Sequence, residues 1–262
     1  MRTYTNMTWP DDPYRTGQQL YRRPVPRLAA FTAEQTAAGG RPASAAVAIV
    51  YLPLHRTQAI SVTDQTLTFG FRAASIDDAA EAPGLAAVAD LDLMQARRHA
   101  AVLAGHLLAG DLTALRQAGA AAALRGLAAV EREWAARGKA TGRAATFDCQ
   151  LDLPGCPPLE RACQQAGIAI GPGGSWPDAG RPAGRQAAAL AVERALMIAL
   201  VCARHQGRYD WTGTLRIGQV MAATTWDCLP WPETTTPGAL ASHDAVDGRA
   251  GAAPSVACGN LK

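Results

Sequence analysis

At 262 residues with a formal charge of +3 and a pI near 8.6, the chain is long enough for one sizeable domain with appendages, the favoured reading, or for two small ones. Its mild basicity permits contact with a polyanion without arguing for one. Hydrophobic residues make up 48% of it and aromatics 6%. Much of the apolar share is Ala and Gly, and Arg outnumbers Lys, a bias typical of a high-GC, bacterial coding genome. No run approaches eighteen consecutive apolar residues, and the first residues lack the apolar core of a signal peptide. The reading is a cytoplasmic protein with no membrane partner. Six cysteines without a secretion signal read as reduced thiols. Cys149, Cys156 and Cys163 are spaced by sevens, but with no CxxC pair and no nearby His the zinc reading is poor.

Taken in order, residues 1–42 read as an extended arm with a short helix at Ala29–Ala38. Gly39, Gly40 and Pro42 close it. The arm mixes Tyr14 and Tyr21 with Arg22, Arg23 and Arg27, a cation–aromatic combination that can grip single-stranded nucleic acid. From Ala45 the pattern becomes strand. Val47, Ile49 and Tyr51 alternate, then Ala59–Thr63 and Thr66–Phe71 repeat the β-branched and aromatic enrichment around a turn at Thr63–Gln65. This predicts an antiparallel three-strand meander. Residues 75–96 carry apolar side chains at helical spacing.

Arg98–Gly119 holds the most informative stretch. Ala100–Ala104 is short and apolar enough for a buried strand, Gly105 and Gly110 interrupt, and Leu112, Leu115 and Ala118 recur at helical spacing. Two readings of Asp111 follow: an N-cap of that helix, or a metal-binding carboxylate at the carboxyl end of a strand. Helix then continues to about Arg137. Ala144–Leu153 reads as a short strand or extended segment, Pro157–Gln165 as a helix stopped at Gly167, and Gly171–Gly184 as a loop. Gln186–His205 is the most apolar helix, with only Glu193 and Arg194 charged inside it. Glu193 is there either at a wet edge, paired with Arg194 or Arg185, or held in a site. Residues 208–231 predict a strand or hairpin and a short helix. Beyond Pro232 the composition predicts disorder, which leaves a domain at 43–231 and a tail at 232–262.

This order, a meander followed by alternating helices and strands, predicts an α/β fold with a mixed sheet and helices on its faces. Four phrases then resemble the DEDD-type 3′-to-5′ exonucleases of the ribonuclease H-like superfamily. Val102-Leu103-Ala104-Gly105-His106 followed by Asp111-Leu112 resembles the strand, Gly-His-Asn and helix-opening Asp of the second family motif, with Leu107 in place of Asn. Thr146-Phe147-Asp148-Cys149 is similar to an Asp-Thr strand, and Leu159–Ile168 to a Leu-x-x-Ala-Cys-x-x-x-Gly-Ile helix. Ala191-Val192-Glu193-Arg194-Ala195 resembles the helix of the last acid.

The resemblance covers about residues 45–205. It implies a ribonuclease H-like mixed sheet, an antiparallel three-strand meander plus parallel strands with helices on both faces. It also implies catalysis by about four carboxylates around two Mg²⁺ or Mn²⁺ ions roughly 3.5–4 Å apart. Asp111 and Glu193 are the candidate catalytic and metal-binding acids, and His106 with Arg22, Arg23 and Arg27 the candidate nucleic-acid contacts. The first motif, Asp-x-Glu, has no counterpart in Ile49-Val50-Tyr51-Leu52, and no acid occurs between Glu34 and Asp64. The expectation is therefore a nuclease scaffold with a degenerate centre and no cofactor, binding single-stranded nucleic acid or a protein partner. The alternatives are an active exonuclease drawing on Asp64, Asp148 or Asp178, and a protein-interaction scaffold.

Overall fold

A computed structural model describes residues 1–7, 26–38, 41–119, 123–136, 144–170, 183–224 and 227–229. The architecture is α/β, built on one mixed sheet of seven strands in the order β11-β1-β5-β3-β2-β6-β7. These are β1 (Arg2–Thr5), β2 (Arg27–Ala38), β3 (Arg41–Pro53), β5 (Gly70–Ile76), β6 (Val102–Gly105), β7 (Ala145–Asp148) and β11 (Asp227–Leu229). The pairs from β11 through to β2 are antiparallel, whereas β6 runs parallel to β2 and β7 parallel to β6. Two small parallel pairs lie apart: β4 (Ile60–Ser61) with β9 (Tyr209–Asp210), and β8 (Ile168–Ala169) with β10 (Leu215–Arg216).

Period-two alternation divides each central strand between two cores. On β3, Ala46, Ala48, Val50 and Leu52 face one core and Val47, Ile49 and Tyr51 the other. The first core is closed by α5 (Ala183–His205), which lies across β2, β3 and β5. Its Ala187, Ala188, Ala191, Ala195 and Ala199 join Ala30, Ala46, Ala48 and Ala73 of the sheet in that core. By length and composition α5 could cross a membrane, yet 78% of that stretch is buried within the fold, so packing accounts for its apolarity. The second core lies under α1 (Ala82–His99), α2 (Leu108–Ala118) and α3 (Arg125–Ala135). Shorter helices α4 (Leu159–Gln165) and α6 (Ile217–Ala222) join the α5 side.

The helical layer is tied by charge as well as by apolar contact. Asp92 of α1, buried, reaches Arg72 of β5 at 3.4 Å. Arg97 of α1 donates through two nitrogens to Glu133 Oε1 of α3, each at 2.7 Å. Asp90 Oδ1 accepts the backbone N–H of Leu127 at 2.8 Å, capping the first turn of α3 from another helix. Residue 126 must be glycine for this: a Cβ there would lie 2.2 Å from the Asp90 carbonyl oxygen.

Several sequence expectations change. The arm at 1–42 is not separate where it is described, because β1 lies within the sheet and β2 pairs with β3 along twelve residues. Ala29–Ala38 is strand, not helix: alanine's helical preference yields to pairing with β3 along the strand, to pairing with β6 over Leu28–Ala30 and to burial of both faces over Leu28–Thr32. The meander therefore shifts one strand earlier, to β2, β3 and β5. The turn after Thr63 forms, with Thr66 and Leu67 N–H groups donating to its carbonyl, but Ala59–Thr63 supplies only β4 and Thr66–Phe71 only the start of β5. The long helix after Asp111 is two, α2 and α3. Described Cys149, Cys156, Cys163 and Cys202 are free thiols, and Cys156 alone of these is exposed. The tail at 232–262 and the loop centred on 171–182 lie outside the described residues.

The interhelical cap yields a stability test. Asp90→Ala is expected to cost about 1–2 kcal/mol in urea unfolding, and Gly126→Ala about 1–3 kcal/mol from overpacking against α1. Equal stability of either variant and the wild type would remove the cap from the account.

Candidate functional site

Strands β2, β6 and β7 are parallel; β6 and β7 end at Gly105 and Asp148, so their carboxyl ends emerge beside the stretch of β2 that runs on past Ala30, where open α/β sheets gather their ligands. From β2 come Thr32, 3% exposed, and Glu34. From β6 come Gly105, His106 and Leu107, leading into α2 with Asp111 in its first turn. Gly105 has a packing reason, since a Cβ would lie 2.7 Å from that of Leu108. From β7 comes Asp148, fully buried. Arg194 of α5 completes the group from the face above.

Arg194 Nε lies 3.0 Å from Glu34 Oε1, and the Thr32 hydroxyl donates to the same oxygen at 3.4 Å. The backbone N–H of Ala33 donates to Asp111 Oδ2 at 3.2 Å, which brings the Asp111 carboxyl against the strand that carries Glu34. Burial raises the Glu34 pKa, opposed by Arg194 and by the Thr32 hydroxyl. Burial pushes Asp111 up to about 6, helped by the negative charge of Glu34 and opposed by the Ala33 N–H and Arg194. His106 is held below its ordinary value by burial and by Arg194, against the pull of Asp148 and Glu160. Near neutral pH the junction thus holds a neutral imidazole, a guanidinium and two carboxyls that share one counter-charge.

The two readings of Asp111 resolve into neither form expected. It is not the N-cap, because α2 begins at Leu108 and the cap position is Leu107. It does stand at the carboxyl end of a strand, but its neighbour is Glu34 rather than Glu193. Glu193 is half-buried with its pKa raised by burial, and no ion pair joins it to Arg194 or Arg185 among the described residues. One position along a helix is about 100° of rotation; Arg194 meets Glu34 of β2, and Glu193, one step round, makes no ion pair there among the described residues.

Other candidates do not converge on Glu34 and Asp111. Arg27 is seven residues before Glu34 on β2, roughly 23 Å along the strand, at the opposite end of the sheet. Asp64 accepts the Arg216 N–H at 2.7 Å, at the start of α6. Asp148 Oδ1 organises loops, accepting the N–H groups of Leu107 at 3.3 Å, Gln150 at 3.0 Å and Leu151 at 3.3 Å. Arg22, Arg23 and Asp178 lie outside the described residues. Sequence reasoning missed Glu34, although Thr32-Ala33-Glu34 has the spacing of Asp-x-Glu with Thr in the first place.

A pair of hard divalent cations requires about four converging carboxylates. Among the described residues no group of three or more His, Cys, Asp or Glu side chains could hold an ion, and a guanidinium already contacts Glu34. The residues present do not fit that metal pair.

Leu107 is strained. Its φ of 55° and ψ of 34° lie in the left-handed region, which costs a branched residue about 1–2 kcal/mol, and its side chain is 51% exposed. It gains no burial from that conformation.

Comparison with protein-family models, with curated proteins and with solved structures finds no match to this chain.

Two measurements probe the junction. Leu107→Asn is expected to raise stability by about 1 kcal/mol through relief of the left-handed strain; an unchanged or lower urea midpoint would contradict it. The folded-state pKa of Asp111, about 6, lies above that of an unfolded aspartate, so the folded chain binds the proton more tightly. Its contribution to stability is fully present near pH 4 and is lost as pH rises through 6. Asp111→Asn should abolish that component, seen as a flatter stability profile between about pH 4 and 6 than the wild type.

Proposed function

We propose that this chain is a ribonuclease H-like domain, built on an exonuclease scaffold, that binds single-stranded nucleic acid without hydrolysing it. The sheet supports the fold part of the reading: an antiparallel meander of β5, β3 and β2 continues into parallel β6 and β7, with helices on both faces. The observation that carries the functional part is the contact between Arg194 and Glu34. In a two-metal nuclease the acids repel the phosphodiester until cations neutralise them. Here a guanidinium already offsets the acid on β2, so a phosphate meets less repulsion than at a bare pair of acids, while among the described residues the geometry for activating water on a metal pair is missing. His106, neutral and half-exposed, and the exposed Leu107 flank that approach as surfaces for a sugar or base.

A second reading, docking of a protein partner, draws on Leu107 and Leu151. They are the exposed large hydrophobic residues among those described, and both are held through backbone N–H groups by the single carboxylate of Asp148.

Anisotropy titrations with labelled DNA and RNA oligonucleotides of about 20 nucleotides, at about 50 to 200 mM salt, separate these readings. Binding whose log K falls linearly with log salt, weakened several-fold by Arg194→Gln, is the expected result. The oligonucleotide should stay full length with Mg²⁺ or Mn²⁺. Release of nucleotides that Asp111→Ala abolishes would restore an active exonuclease, and absence of binding at the lowest salt would leave protein docking.

A further inference from the structure

Acids that converge at the carboxyl end of a parallel sheet need a positive partner, because burial of a carboxylate is costly without one. Glu34 and Asp111 come from elements far apart in the sequence and are brought together by the sheet itself: Glu34 is fixed in register with Ala46 of β3, and the Ala33 N–H, past the stretch of β2 that pairs with β6, holds Asp111 Oδ2 at 3.2 Å. Their convergence is a property of backbone pairing and does not require Arg194. The positive partner is nevertheless built in. Arg194 is fixed by the packing of α5, whose neighbouring Ala191, Val192, Ala195 and Leu196 are all buried in the sheet-facing core, and its Nε meets Glu34 Oε1 at 3.0 Å.

We infer that the Arg194 guanidinium is a tethered replacement for a divalent cation, pairing with Glu34 beside Asp111 and keeping a free ion out. A divalent ion binds carboxylate oxygens at about 2.0–2.6 Å, so it would compete for the oxygen that Arg194 holds and would be repelled by the guanidinium. Removal of that charge leaves two pre-positioned carboxylates from different elements. Mg²⁺ and Mn²⁺ sites are commonly completed from one or two carboxylates plus water. The groups that face the junction are Glu34 and the Thr32 hydroxyl from β2, Asp111 from α2 and His106 from the loop between β6 and α2, with Asp148 and Glu160 acting on His106 from its other side. None of them but Arg194 carries a positive charge when His106 is neutral. The inference deepens the reading of a metal-free nucleic-acid binder, yet oligonucleotide binding and cation uptake are separate readouts, so either can fail alone.

Mn²⁺ titration followed by thermal unfolding and by electron paramagnetic resonance tests it on the full chain. In the wild type, Mn²⁺ is expected to leave the Tm unmoved and to remain free in solution. In Arg194→Gln it should bind at least tenfold more tightly than in the wild type and raise a lowered Tm, and Glu34→Gln in that background should abolish the response. Mn²⁺ binding by the wild type that depends on Glu34, or no gain in Arg194→Gln, overturns the inference. Should Arg194→Gln not fold, the charge-balanced pair Glu34→Gln with Arg194→Gln is expected to fold and to melt close to the wild type; a double variant as unstable as the single one overturns it equally.

Discussion

The close seating of α5 on the sheet is the constraint from which the rest follows. Both surfaces are paved with alanine, Ala187, Ala188, Ala191, Ala195 and Ala199 on the helix and Ala30, Ala46, Ala48 and Ala73 on the strands. Small side chains let the helix backbone approach the sheet closely, and the interior then gains dispersion contacts with few rotamers to freeze. The same paving makes the interface intolerant of rotation. A turn of the helix about its axis would bring Glu193 or Arg194 into the alanine layer, at the cost of burying a charge without a partner. The azimuth of α5 is therefore set by its apolar residues, and the direction of Arg194 follows from it.

The charge arrangement at the carboxyl ends of β2 and β6 is a consequence. Arg194 arrives at Glu34 because the helix cannot turn, and Asp111 arrives there because the first turn of α2 follows directly on β6, the strand beside β2. Burial raises both carboxyls, and Arg194 opposes the rise. One guanidinium against two acids leaves a junction of at most one net negative charge, unlike the strongly negative hollow needed to concentrate divalent ions. The loop that enters α2 is meanwhile held from the other side by Asp148, whose Oδ1 accepts from Leu107, Gln150 and Leu151. That anchoring supports a left-handed leucine at the mouth of the site, and strain of this kind persists where surrounding contacts over-determine the backbone.

How far the primary structure could be read depended on which residues carried the signal. Helix α5, strand β6 and the helix ended at Gly167 were legible, because Leu, Val and Ile recur there at recognisable spacing and glycine marks the stops. Strand β2 was not. Its Leu28-Ala29-Ala30-Phe31-Thr32-Ala33 core is alanine-rich, and alanine favours helix in isolation, so only pairing with β3 and β6 reveals the strand. Reading β2 as a short helix displaces the meander by one strand and places Glu34 on that helix, away from Asp111.

By itself the sequence determined the local events: where Gly105 and Gly167 interrupt regular structure, that an apolar helix would be buried near the end of the domain, and that Asp111 and His106 would stand together after a strand. Those depend on steric preference and hydrophobic period within a dozen residues. The tertiary structure alone decided which acid meets Asp111 and which of Glu193 and Arg194 faces the sheet. Glu34 and Asp111 are 77 positions apart in the numbering, and nothing local relates them. Their meeting is set by strand register and by the rotation of a helix packed on alanine, both of which are collective properties of the folded sheet.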